Sequence, residues 1–357
     1  MKRTSNRWLG ALQGYKRRLG YCWHRFKMQH THWIVTSESA GGGFVAYGSW
    51  RAVTHFSRNF LGAPDDLRIK RRWHGQVPAE TIRQQARRFG LVTMASTQLP
   101  KALRGTAVMW PSLVRLEAKI AKTAEARWQM LGGLAKADLR RIKREQYTMA
   151  VLPAVPAFEE FYGRFYLPSM RKRHGEDAYL HGFNAEFNKL GPSDVILEVR
   201  APNACLGKVV ICEEGDGVRM SRLGWLDGRD DIYQKSVLGA LYWFSMQYAS
   251  AKGYSRVDLG SVSPYLDDGL FAYKQKWLGR LSWDKSAYNT WSVMADPSHE
   301  VTRRFFDNNA LIIRNEQTRC FDVITNRARE EVYAASVQRE HLGVWLSPDQ
   351  VWPKPSC

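Results

Sequence analysis

Residues 224–279 read GWLDGRDDIYQKSVLGALYWFSMQYASAKGYSRVDLGSVSPYLDDGLFAYKQKWLG. Their periodicity predicts a helix, a strand and a second helix in immediate succession. Asp230 and Asp231 offer N-caps just before an apolar run. Ile232, Tyr233, Val237, Leu241, Phe244, Met246 and Tyr248 recur at helical spacing. Gly253 stands where a left-handed C-terminal residue is wanted. Arg256 to Val262 then alternates in the manner of a strand. Pro264 stops it, and Asp267-Asp268-Gly269 opens a second helix through Leu270, Tyr273, Lys274 and Trp277.

A strand ending in D-L-G-S and turning into a helix lies at a sheet's carboxyl edge, where open α/β sheets bind ligands. Lys274 falls about one and a half turns into the second helix. Phe271, Tyr273 and Trp277 flank it, which would partly desolvate its charge. A cation held there can stabilise a developing oxyanion. On spacing alone the plainer expectation is that Lys274 snorkels to solvent along the helix face.

The chain has 357 residues, 44% hydrophobic and 24% charged, as in an ordinary globular protein of two domains. No run approaches the roughly 18 apolar residues of a spanning helix, and the first residues lack the apolar core of a secretory signal. Five scattered cysteines without a CxxC pair indicate a reducing cytoplasm and no cysteine-based metal site. The net charge of +19 is unevenly spread: residues 1–150 hold 28 Lys and Arg against 8 Asp and Glu, and the rest hold 25 against 26. This asymmetry points to an anionic partner: nucleic acid, acidic lipid or a phosphate-bearing substrate.

Residues 2–27 carry eight cations and no acid. Trp8, Leu12, Tyr15, Leu19 and Trp23 form an apolar helical stripe, so the segment can lie on an anionic membrane face or pack as a first helix. Gly41-Gly42-Gly43 leads into a strand and lacks the GxxxxGKS/T pattern of a phosphate-cradling loop. Arg68 to Arg72 is a short cationic run, solvated or part of an anion-binding face. Residues 78–90 read as a helix, 91–95 and 109–116 as strands, and 124–145 as a helix broken at Gly132-Gly133. A strand at 147–152, a helix at 158–170 and a compact basic turn at 171–175 follow. Three strands precede the opening stretch, the last two as a hairpin. Together these give a mixed α/β (α+β) protein.

The order helix, antiparallel strands, long helix, strand, short helix resembles the GNAT acyltransferase fold. L-R-R-I-K-R at 139–144, Y-L-P-S-M-R-K-R-H-G at 166–175, V-D-L-G-S at 257–261 and D-D-G-L-F-A-Y-K-Q-K-W-L-G at 267–279 resemble one branch. That branch is the Fem-type aminoacyltransferases of peptidoglycan bridges and related polysaccharide-pathway acyltransferases. The resemblance spans about residues 95–285. It implies tandem GNAT-like domains with mixed central sheets flanked by helices. A basic N-terminal helix would take residues 1–30, a degenerate basic domain 31–150, the acyltransferase domain 151–300, and C-terminal helices and a tail 301–357.

The resemblance further implies transfer of an acyl group from acyl-CoA or aminoacyl-tRNA, without a metal, to an amine or hydroxyl. The acceptor would belong to a cell-envelope polysaccharide or a related small molecule. Lys274 matches the family lysine proposed to stabilise the oxyanion, and Tyr273 takes the aromatic place before it. Asp258 and Ser261 fall near the reacting groups. Arg141 and Arg144 match a basic segment at the domain junction, and Arg171, Arg173 and His174 a turn near the acceptor cleft. Asp258, Asp268 and His174 are the candidate general bases. In two places the sequence departs from the pattern. The GNAT pyrophosphate loop before the long helix is absent, as it is in Fem-type proteins; R-L-G-W-L-D-G-R-D-D stands there. Leu278 separates Trp277 from Gly279, where the family has Gly directly after the aromatic residue. The alternative is a non-catalytic binder of nucleic acid, tRNA included, or of an anionic membrane surface, with residues 2–27 making the peripheral contact.

Overall fold

The computed structural model describes residues 31–351 apart from 48–49, 63, 74–76, 96–98, 176–179, 181, 283–289, 316–319, 328–341 and 347. The amphipathic helix expected over residues 2–27 lies outside the described residues. The class is α/β, with two mixed sheets flanked by helices.

The chain enters the first sheet with β1 (Thr31–Ser37), β2 (Gly42–Tyr47), β3 (Arg68–Trp73), β4 (Leu91–Ala95) and β5 (Val108–Pro111). Helices α1 (Trp50–Asn59) and α2 (Ala79–Phe89) lie among them. Residues 109–116, expected as one strand, are two strands of different sheets. β5 stops at Pro111, which has no N–H to continue a ladder. After two residues the chain resumes as β6 (Val114–Lys119), in the second sheet.

The second sheet then assembles from β7 (Thr148–Pro153), β8 (Val195–Ala201), β9 (Ala204–Glu214), β10 (Gly217–Trp225), β11 (Arg256–Val262) and β12 (Arg280–Ser282). Its order is β12-β6-β11-β10-β9-β8-β7. Its helices are α3 (Ala124–Met130), α4 (Gly133–Arg144), α5 (Ala154–Glu160), α6 (Leu167–His174), α7 (Phe183–Phe187), α8 (Asp230–Gln234), α9 (Val237–Ala251) and α10 (Gly269–Lys276). A π-helical stretch, Phe161–Tyr166, joins α5 to α6. The basic turn expected at 171–175 is the last turn of α6, ended by Gly175 at φ +57°.

The chain finally returns to the first sheet as β13 (Thr290–Ala295), β14 (Leu311–Asn315), β15 (Cys320–Ile324) and β16 (Leu342–Leu346), with α11 (Glu300–Asn308) between β13 and β14. The region 301–357, read as helices and a tail, thus also supplies three strands, and β13 pairs with both β4 and β5. Strands change sheet at 111/114 and 282/290, away from residues 150 and 300.

α9 is buried almost all round, as a helix apolar on every face must be. It covers Val209, Ile211, Val218 and Val257 of the second sheet. On the other face Phe158, Phe161 and Phe165 cover Ile196 and Val210. A third cluster joins the sheets, packing Val114, Leu116, Val262 and Phe271 against Ile312 and Val323. Among the described residues no helix is long and apolar enough to cross a membrane.

Candidate active site

β11 begins as a regular strand and ends as a bulge. Its parallel ladder to β10 covers only Gly217–Arg219 against Arg256–Asp258. Its antiparallel ladder to β6 slips between Asp258 and Ser261. The cause is local. Asp258 Oδ1 accepts the Gly260 N–H at 2.7 Å, closing a turn of the kind Asp side chains make with their own backbone. Gly260 takes φ +79°, which glycine adopts without steric cost. Arg115 Nε lies 3.2 Å from Asp258 Oδ2, so the buried carboxylate is held from both sides. Burial raises its pKa above the ordinary carboxyl value, against the pull of the Gly260 amide and Arg115.

α10 carries Lys274 back to this bulge. Asp268 caps the helix, accepting the Phe271 N–H at 2.8 Å. Phe271 and Trp277 are buried in two different cores, and they press the helix down so that Lys274 faces the strand end. Its side chain does not snorkel: it is 4% exposed, and Nζ donates to the Ser261 carbonyl at 2.9 Å. A Cβ at Gly260 would stand 3.4 Å from Nζ, in van der Waals contact with it, so the glycine backbone lies directly beside the ammonium. Burial pushes the Lys274 pKa down to about 7, with Arg173 adding to the fall and Asp258 and Asp268 opposing it. An ammonium has three donors, and one is spent on Ser261. An oxygen acquiring charge beside Gly260 would meet a cation in a poorly solvated place, where its attraction is strongest.

The structure gathers Lys274, Ser261, Asp258 and Asp268, with the Arg173 charge close enough to act on Lys274. Tyr273 is half-buried, edge-on to Tyr242 at 5.5 Å, and burial raises its pKa. Arg173 is exposed at the end of α6. α6 is anchored by Ser169, whose Oγ accepts the Trp225 N–H at 2.9 Å and donates to the Trp225 carbonyl at 3.0 Å. His174 ends the same helix; its side chain lies outside what is described. Arg171 is exposed. Arg141 lies elsewhere, donating to the Gln234 carbonyl and Ser236 Oγ, both at 3.1 Å. Arg144 is exposed and pairs with its neighbour Glu145.

Residues 230–251, expected as one helix, are two. α8 ends at Gln234, Ser236 takes φ +62°, and α9 starts at Val237. Asp230 and Asp231 therefore occupy the first turn of the short helix, where they pair with Lys172 at 2.9 Å and Arg229 at 2.7 Å. The carboxylate at the start of the long helix is Asp138. It accepts from Ser236 Oγ at 3.2 Å and Lys276 Nζ at 2.5 Å, and a Cβ at Gly239 would stand 2.7 Å from it. An anion already lies at the helix end that would otherwise attract a pyrophosphate.

Sequence reading missed Arg115, Asp138 and Gly260. Only Gly260 carried a signal, since a glycine inside a strand pattern marks a bulge or a close approach. Arg115 and Asp138 reach the site through pairings 98 residues or more apart in the chain, which no local pattern records.

No family model matches the chain, and no curated protein matches it. Among solved structures it is similar to L-PGS from Bacillus licheniformis at 11% identity and a TM-score of 0.36, covering 74% of this chain and 80% of that one. It is similar to the C-terminal domain of a putative lysylphosphatidylglycerol synthetase from Agrobacterium fabrum at 13% identity and a TM-score of 0.37, over 78% and 88%. FemX is similar at 11% identity and a TM-score of 0.37, over 67% and 78%. Likenesses this distant carry no functional weight.

Proposed function

We propose that this chain is an acyltransferase that moves an acyl or aminoacyl group from an activated carbonyl to an amine or hydroxyl acceptor. One observation carries the reading: the Lys274 ammonium, buried at the bulged end of β11, meets a carbonyl oxygen there at 2.9 Å. In the reaction the acceptor attacks the donor carbonyl. The new C–N or C–O bond forms, and the carbonyl oxygen becomes an oxyanion facing Lys274. Collapse breaks the bond to the leaving group, and the acceptor's proton ends on that group. Asp258 acts as a positioning residue, since its oxygens are engaged by Gly260 and Arg115.

Of the two donors that the Fem-type resemblance implies, aminoacyl-tRNA fits better than acyl-CoA. Asp138 at the start of α9 disfavours a pyrophosphate in the place where the GNAT fold would hold it. The acceptor follows from the resemblance alone: an amine or hydroxyl of a cell-envelope polysaccharide or related molecule.

Thermal unfolding of the full chain with aminoacyl-tRNA, acyl-CoA or neither tests the donor, because a ligand of the native state raises the midpoint. A rise with aminoacyl-tRNA and none with acyl-CoA is expected. No rise with either would remove the transferase reading.

A further inference from the structure

A second site lies on the first sheet. Among the described residues β3 is one of the sheet's two edge strands, and it carries Arg68, Lys70 and Arg72 at alternate positions, hence on one face. The register sets them opposite Thr36, Ile34 and His32 of β1. The reverse face of β1 is core, with Trp33 and Val35 buried. Helix α2 walls the cationic face, and the two enclose a groove of about 570 Å³. Arg88, Gln84 and Gln85 of α2 line its far side. Ile82 and Ala86, on the opposite side of the helix, are buried and fix its orientation. Gln85 is itself held, its Oε1 accepting from the Tyr47 hydroxyl, which leaves the amide N–H groups for a ligand.

The charge in this groove is mostly uncompensated. Arg68 pairs with Glu38 at 2.8 Å, both well exposed. Among the described residues Lys70, Arg72 and Arg88 have no acidic partner, and Lys70 and Arg72 are exposed. Their spacing narrows the ligand. Side chains two residues apart on a strand stand about 6.8 Å apart, so Arg68 and Arg72 are about 14 Å apart. A lone phosphate reaches one of them, whereas a chain of phosphates reaches all three. The cations line a recess between strand and helix, which suits an extended strand better than a flat bilayer. Among the described residues the groove's rings are His32, already against Tyr47 at 5.1 Å, and Phe89, already covered by Arg88 at 5.1 Å.

We infer that the groove between β3 and α2 binds a single-stranded nucleic-acid backbone, through its phosphates and without base readout. It shares no residue with the Lys274 site and stands whether or not that site is catalytic.

The test measures anisotropy of a fluorescein-labelled single-stranded RNA dodecamer with the full chain across a salt series. Wild-type binding weakens steeply with salt. Lys70→Ser/Arg72→Ser weakens it at least tenfold at fixed salt. It also flattens the slope of log K against log salt by about 1.4, at about 0.7 for each phosphate no longer neutralised. Arg88→Ser, on the other wall, weakens it in the same direction without touching β3. Arg140→Ser/Lys143→Ser, exposed on α4, leaves affinity and slope unchanged. The inference is overturned if the groove variants bind as wild type, or if the α4 variant loses as much. It is also overturned if phosphatidylglycerol vesicles capture the wild type and the groove variants lose that capture while keeping RNA affinity.

Discussion

At the scale of single residues, Lys274 is a charge held where its charged form is disfavoured. Its pKa is about 7 in the folded chain, against an ordinary value near 10.4 when unfolded. Between these values the unfolded chain binds more protons, so stability rises with pH from about 7 to about 10. Below pH 7 the full penalty stands, of order a few kcal/mol. Lys274→Met is therefore expected to raise the urea midpoint at pH 6.5, with the gain closing by pH 10. An equal or lower midpoint at pH 6.5 would contradict the burial argument. The same pKa fixes the catalytic sign. If the ammonium is the working form, the ratio of wild-type to Lys274→Met turnover falls as pH rises above 7. Asp258 holds the Lys274 pKa up. Asp258→Asn keeps an acceptor for the Gly260 N–H but loses that attraction, so it should move the inflection of this ratio to lower pH. An inflection that stays in place would deny Asp258 its positioning role.

At the scale of elements, the Arg173 charge that acts on Lys274 depends on how α6 is seated. Gly224 of β10 permits the backbone of the π-helical stretch to come close, since a Cβ there would stand 2.2 Å from the Phe165 carbonyl oxygen. Ser169 then closes two hydrogen bonds to Trp225. Ser169→Ala would orphan a buried N–H and carbonyl, and a loss of about 2 kcal/mol in chemical denaturation is expected; a loss under about 0.5 kcal/mol would mean the seating lies elsewhere. The elements themselves were legible in the sequence. The strand Arg256–Val262 and the Asp268 cap stand where periodicity and capping chemistry put them. The break after Gln234 was not, because apolar spacing runs on through Ser236 while the left-handed turn depends on Asp138 and Arg141 from another helix. Burial of Lys274 was hidden for the same kind of reason. Spacing placed apolar residues around it but could not show that two cores clamp α10 with that face turned inward.

At the scale of the molecule, the chain builds half of one sheet, all of the other, and then completes the first. The sheets share a core through Phe271, Ile312 and Val323. The Leu266 N–H to Ala310 carbonyl bond at 3.0 Å and the Ile312 N–H to Pro264 carbonyl bond at 2.7 Å tie them further. The two sheets should therefore unfold together, in one calorimetric transition; two well-separated transitions would mean the shared core is energetically minor. Most of the excess cations of residues 1–150 lie before residue 114, where the second sheet begins, and the buried lysine lies in the second sheet's territory, so binding of a polyanion and chemistry are separable by mutation. The most direct test of the transferase account is single-turnover loss of the aminoacyl ester from radiolabelled aminoacyl-tRNA, with a cell-envelope extract as acceptor, comparing wild type with Lys274→Met. The account predicts that the folded variant transfers about 100- to 1,000-fold more slowly, as loss of one oxyanion donor does, while binding the tRNA as tightly. A folded Lys274→Met protein that transfers at the wild-type rate would contradict it.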